Sequence, residues 1–252
     1  MSVLYIRDEN GNFVPIKTIK GEDGSVVSKV EPADDDIPRV YVWGNTLPTT
    51  KTDTNFRFRY TSKTDDFSGY VVIKCQGASS MNYPKKNFTV KLYTDEAHET
   101  KMKKDFRGWG KQNKFVWKAN WIDHSHARNI TNARLWAEII KTRCNYDTLP
   151  EEYKASPNLS AIDGFPIKLY ANGTYQGIYT WNIPKDAWMT NMDEDNPNHI
   201  LFCCSDNDND RVGDYAFNFR ALWGGVSEKG GWDIEVGTQV NLEFDIIGKY
   251  LS

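Results

Sequence analysis

GASSMNYPKKNFTVKL, residues 77–92, is the stretch whose reading decides the fold. Gly77, Ala78, Ser79 and Ser80 make a small-residue turn whose N–H groups and hydroxyls have no bulky neighbours, the composition that an oxyanion-binding nest requires. Pro84 fixes the chain ahead of Lys85 and Lys86. From Asn87 to Leu92 polar and apolar residues alternate, the period of a half-buried strand. Side chains alternate across a strand, so the adjacent lysines point to opposite faces, and the letters do not say which faces a pocket. The same stretch also reads as an ordinary hairpin turn with solvated lysines, because short Gly/Ser motifs recur by chance.

Outward from this turn the text is strand-like. Residues 40–43 are apolar, Phe56, Phe58 and Tyr60 alternate with Arg57, Arg59 and Thr61, and residues 70–75 and 115–119 continue the pattern. Asp123 stands at an N-cap position ahead of a helix predicted over 124–143, with Ile130, Ala133, Ala137 and Ile140 on one face. Asn172-Gly173 between the runs 166–170 and 175–181 is a hairpin signal. The fold predicted is α+β, a twisted antiparallel sheet with one principal helix packed on it. Residues 3–6 and 13–16 predict an N-terminal hairpin, and the Gly-, Ser- and acid-rich stretch 21–36 reads as a flexible linker. The organisation is therefore a docking hairpin (1–20), a linker (21–36) and a main domain (37–252). A hairpin that small is not stable alone, so it is expected to dock on another copy, making a homo-oligomer, or on a neighbouring subunit.

With 39% hydrophobic residues, 9 Trp, 13 Tyr and 12 Phe, the chain of 252 residues can fill a sizeable core. Its net charge of -3 argues against a nucleic-acid or membrane-surface protein. The charge is uneven: residues 82–118 carry ten Lys/Arg against four Asp/Glu, and 193–214 carry seven Asp/Glu against one Arg. Such segments either face each other across a cleft holding an anion and a metal or form two solvated faces. Cys75, Cys144, Cys203 and Cys204 show no CxxC spacing and read as reduced thiols. Neither a signal-peptide pattern nor a membrane-length apolar run is present, which predicts synthesis in a cytoplasm without export by a standard signal.

His124 and His126 lie two apart near the predicted helix start and lack the i, i+4 spacing of a metal pair, so they read as first-turn polar residues. Asp206, Asp208 and Asp210 alternate as in a calcium loop. Arg211 stands at the sixth position and Phe217 at the twelfth, where an EF-hand needs Gly and Glu, which leaves only a looser cation site.

Four segments in order, CQGASSMNYPKKNFTVKLY, KFVWKANWIDHSHARN, GFPIKLYANGTYQGIYTWNIP and GGWDIEV, resemble the family of spore-coat protein H (CotH) kinase-like domains. The resemblance covers residues 37 to about 236 and is nearest the branch encoded beside phage tail genes. The opening YIRDENGNFVPIKTIKGEDG is similar to the start of many phage tail and fibre proteins. The family implies an atypical kinase fold that binds ATP and a divalent metal such as Mg and transfers a phosphoryl group to protein hydroxyls. Gly77, Ser79, Ser80, Lys85 and Lys86 in the turn, and Asp123, Arg128 and Asn129 at the helix, match its nucleotide side. Arg128 suits either a bidentate phosphate contact or a lock on Asp123. Asp206, Asp208 and Asp210 are the metal candidates.

The family's catalytic and metal-binding aspartates lie further downstream, and the sequence reaches NLEFDIIGKYLS without them; Asp233 in GGWDIEV matches an earlier motif. The expectation is a phage or prophage tail-associated structural protein with a shortened, non-catalytic CotH-kinase-like domain. It would be made in the bacterial cytoplasm and sit in the virion tail, bound to tail or baseplate proteins through its N-terminus and touching a host surface. The alternative is an ATP/Mg-dependent protein kinase whose aspartates come from a missing segment.

Overall fold

The structure is a computed structural model that describes residues 37–192, Asn196 and His199, and the backbones of six short strands: Tyr5–Arg7, Phe13–Pro15, Thr18–Lys20, Val26–Lys29, Leu201–Cys204 and Trp232–Val236. Seven longer strands are labelled in chain order: β1 (Arg39–Gly44), β2 (Thr54–Thr61), β3 (Asp66–Gln76), β4 (Asn87–Tyr93), β5 (Lys114–Lys118), β6 (Gly164–Ala171) and β7 (Thr174–Asn182). Each carries the apolar face its sequence predicts: Phe88, Val90 and Leu92 of β4 point inward and Asn87, Thr89 and Lys91 do not. Asn172 (φ 48°) and Gly173 (φ 81°) make the tight β6–β7 turn, the positive φ pair that Asn-Gly tolerates.

The sheet predicted from the alternation is twisted and antiparallel; in the structure it is closed on itself and includes one parallel pairing. It closes into a barrel in the order β5-β7-β6-β1-β2-β3-β4 and back to β5. β5 makes the closure, pairing Trp117 with Phe88 of β4 on one side and with Trp181 of β7 on the other. β1 and β6 run parallel, with Val40 opposite Leu169. The physical reason is that seven apolar inner faces leave no separate layer to cover them, so the sheet covers itself and removes its edges. Trp117, Trp181 and Phe115 are wholly buried at its centre, with the Trp117 and Trp181 rings 5.5 Å apart. Phe106 and Trp109, from the connection between β4 and β5, plug one end, and Phe106 lies 4.8 Å from Trp181.

Helix α1 (Arg128–Lys141) begins four residues later than predicted. His126 takes a φ of 55° and its N–H donates to the Asp123 carbonyl, a turn that cannot continue as helix. Asp123 nevertheless caps the helix from outside, because its carboxylate accepts the Arg128 N–H at 3.0 Å. Ala137 and Ile140 pack with Leu159 in a small cluster separate from the barrel core; Ile130 is also buried and Ala133 half-buried. Arg134 ties the helix to the barrel. It binds the buried Asp163 carboxylate at 2.7 Å and the Gly164 carbonyl at 2.7 Å, while Trp109 donates to the same carboxylate at 3.1 Å.

Outside the barrel, Tyr5–Arg7 pairs antiparallel with Phe13–Pro15, where the sequence predicts a hairpin. Thr18–Lys20 pairs with Val26–Lys29, so the stretch read as linker contains a strand. Leu201–Cys204 pairs with Trp232–Val236, which puts part of the GGWDIEV motif in a strand.

Candidate functional site

The quoted turn sits at the barrel end where β3 leaves, β4 enters and β5 ends. Gly77 has a φ of 122°, and a Cβ there would lie 2.0 Å from the Ser80 hydroxyl, so any other residue is strained and Ser80 must move. Ser79–Asn82 form one short helical turn in which the Met81 and Tyr83 N–H groups donate to the Ala78 and Ser80 carbonyls. Neither donor is one of the Gly77–Ser80 N–H groups of the predicted nest. Ser79 is exposed, and Ser80 accepts a long bond from Asn87 Nδ2 at 3.4 Å.

The two lysines diverge as strand geometry requires. Lys86 folds back on its own turn, donating to the Met81 and Tyr83 carbonyls at 2.5 and 2.6 Å. Lys85 crosses to β7, donates to the Ile178 carbonyl and lies over the Tyr179 ring, 4.2 Å from its centroid. Gly177 (φ 96°) makes room, since a Cβ there would lie 3.2 Å from Lys85 Nζ. Burial pushes the Lys85 ammonium down to about 8. A third lysine, Lys118 at the end of β5, donates to Gln76 Oε1 at 2.6 Å, and burial lowers its pKa as well.

The segment leading into α1 joins this end. The Ala119 N–H donates to Asn87 Oδ1 at 2.8 Å, and Asn120 Nδ2 donates to Thr180 Oγ1 at 3.1 Å. The Ser125 hydroxyl, at 2.6 Å, and the Arg128 and Ser125 N–H groups hold the Asp123 carboxyl below the usual carboxylate range. The Arg128 guanidinium is 3.8 Å from that carboxylate and mostly exposed, a loose surface pair. Asn129 is exposed. His126 is half-buried, its Nδ1 has no hydrogen-bond partner, and burial and then the Lys85 cation lower its pKa.

The structure thus brings Gly77, Ser80, Lys85 and Lys86 to the same barrel end as Asp123 and Arg128, while Asp206, Asp208 and Asp210 lie outside the described residues. Sequence reasoning missed Lys118, Gly177, Tyr179 and His126. Lys118 and His126 lie within KFVWKANWIDHSHARN, and Gly177 and Tyr179 within the NGTYQGIY hairpin, so the signal was present as motif and not as spacing. The opposite end of the barrel has a cavity of about 400 Å³ that mixes Asp65, Asp105, Lys63 and Arg107 around Tyr60, Phe106 and Phe165 and so has no single charge preference.

Lys85, Lys86 and Lys118 are each satisfied by a neutral oxygen, and no carboxylate among the described residues pairs with them. Positive charge held by neutral oxygens attracts anions. The family model described as CotH kinase protein matches residues 73–215, more than half of the chain, and the chain belongs to that family. No curated protein matches it. Membership of a kinase family suggests ATP and a divalent metal such as Mg, and the ammonium groups of Lys85, Lys86 and Lys118 are of the chemistry that would suit phosphate oxygens. Among the described residues no group of three His, Cys, Asp or Glu stands together as a metal site.

Proposed function

We propose that the lysine end of the barrel binds the phosphate chain of ATP, and that the chain carries the nucleotide-binding part of a protein phosphotransferase acting on hydroxyl side chains. The observation that carries this reading is the set of three lysines held by carbonyl and amide oxygens and not by carboxylates. A phosphate displaces no existing ion pair there, and phosphoryl transfer depends on cations fixed around the phosphates. Lys85 is the direct phosphate ligand; Lys86 shapes the turn. Isothermal calorimetry with ATP and Mg²⁺ on the wild type and Lys85→Met tests it. Binding that weakens by about tenfold or more in the variant is expected from a lost charge-assisted contact. Equal affinities would overturn it.

A second reading concerns location. The opening YIRDENGNFVPIKTIKGEDG, similar to phage tail proteins, forms its own strand pairs before the barrel begins. This supports a chain docked on a virion tail or baseplate through its N-terminus, displaying the CotH domain. Mass spectrometry of density-purified particles tests it: recovery of the chain is expected, and its absence from particles would refute this placement.

A further inference from the structure

Helix α1 has a second apolar face, exposed among the described residues. Leu135, Trp136 and Ile139 are 57%, 49% and 44% exposed, on the side of the helix away from the buried Ala137 and Ile140. Ile139 is i+4 from Leu135 and i+3 from Trp136, so it lies beside both on the helix surface. Apolar residues grouped on an exposed helix face mark contact sites far more often than scattered ones do.

The ends of the face are basic. Arg143 lies over the Trp136 ring, 5.3 Å from its centroid, and Arg128 begins the same face one helix length earlier with its side chain 76% exposed. The nearest acid on the helix, Glu138, is paired with Lys141 at 2.7 Å. We propose that this face docks a segment of another protein whose apolar anchors are flanked by aspartate or glutamate. Charge selects that occupant. A second copy of this chain, in either helix orientation, would set arginine against arginine at both ends, and like charges across an interface exclude the wrong partner. Arg128 is shared with the nucleotide reading, whereas Leu135, Trp136, Ile139 and Arg143 are not part of it.

Two synthetic amphipathic peptides test the proposal, one with leucine anchors flanked by glutamates and one with lysines in their place. Fluorescence anisotropy with the full chain in the absence of nucleotide is expected to show at least about tenfold tighter binding of the glutamate peptide. Leu135→Ser is expected to weaken that binding, and Arg143→Glu to shrink the preference, with far-UV circular dichroism unchanged because both positions are exposed. Equal binding of the two peptides, or no binding of either, overturns the proposal. So does a concentration-dependent dimer in sedimentation that Leu135→Ser abolishes, which would assign the face to a second copy. Binding to phosphatidylserine vesicles that depends on Leu135 and Trp136, without peptide binding, would assign it to a membrane surface and equally overturn the proposal.

Discussion

The Lys85 ammonium lies 4.2 Å from the centroid of the Tyr179 ring and donates to the adjacent Ile178 carbonyl. A ring face and a carbonyl attract a cation without neutralising it, so the charge remains available to an anion. The same burial disfavours the charged form, and the protein carries that cost for as long as the site is empty.

That cost makes Lys85→Met a stabilising change, despite the lost contact with Tyr179. Burial lowers the folded-state pKa to about 8 from 10.5, so between these values the unfolded chain binds more protons than the folded one. Wild-type stability, relative to Lys85→Met, therefore rises as the pH climbs through 8 toward 10.5 and is lowest below 8. Thermal melts of both proteins across this range check it. A variant less stable than wild type at every pH would show that Lys85 acts mainly as a structural tie.

Gly77→Ala is expected to destabilise the barrel end by about 2 kcal/mol, from backbone strain at positive φ and a clash with Ser80. The double variant with Ser80→Gly relieves the clash but not the strain, so it should recover only part of the loss. Urea unfolding of the three proteins measures the partition. Full recovery would mean that the φ of Gly77 carries no cost for alanine.

Alternation along the strands was legible in the sequence, and so were the Asn172-Gly173 turn and the place of the lysine turn before β4. Closure was not. It depends on β5 bonding to β4 and β7, and on β1 lying parallel to β6, pairings between distant residues that a period-2 pattern leaves undetermined. The helix start was misplaced because apolar spacing does not report that His126 takes a left-handed conformation. The sequence required Lys85 and Lys86 to diverge, yet only the three-dimensional turn shows Lys86 closing on Met81 and Tyr83 while Lys85 reaches β7. Lys118 was invisible as a site residue because its nearness to the turn follows from the β4–β5 pairing.

Asp163→Ala should be the more severe lesion, at the other end of the barrel. Asp163 is 7% exposed and its carboxylate accepts bonds from Arg134, Trp109 and the Gly164 N–H; its removal takes that partner from the Trp109 and Gly164 N–H groups and leaves Arg134 only the Gly164 carbonyl. A loss of about 3 kcal/mol is expected for breaking such a pair from the buried side. Chemical denaturation checks it, with Arg134→Met as the milder comparison because that side chain is 43% exposed. A near-neutral Asp163→Ala would mean that the helix is held by its apolar contacts alone.

Asp123→Asn should loosen the start of α1 in a pH-dependent way. Hydrogen bonds to the Asp123 carboxylate depress its pKa below 3.8, so its contribution is fully present above that value and lost as the pH falls through the lower folded-state pKa. Amide exchange at Arg128 is expected to be faster in the variant at neutral pH and to converge with wild type in acid. A difference that persists unchanged into acid would assign the effect to shape and not to charge.

The central claim is that Lys85 faces a phosphate. Nitrogen-15 NMR of the lysine side chains, titrated with pH in the presence and absence of inorganic triphosphate, reads this directly. The account predicts a Lys85 pKa of about 8 without the anion, moving upward toward 10.5 when triphosphate binds. Triphosphate binding that leaves the Lys85 titration unmoved would contradict it.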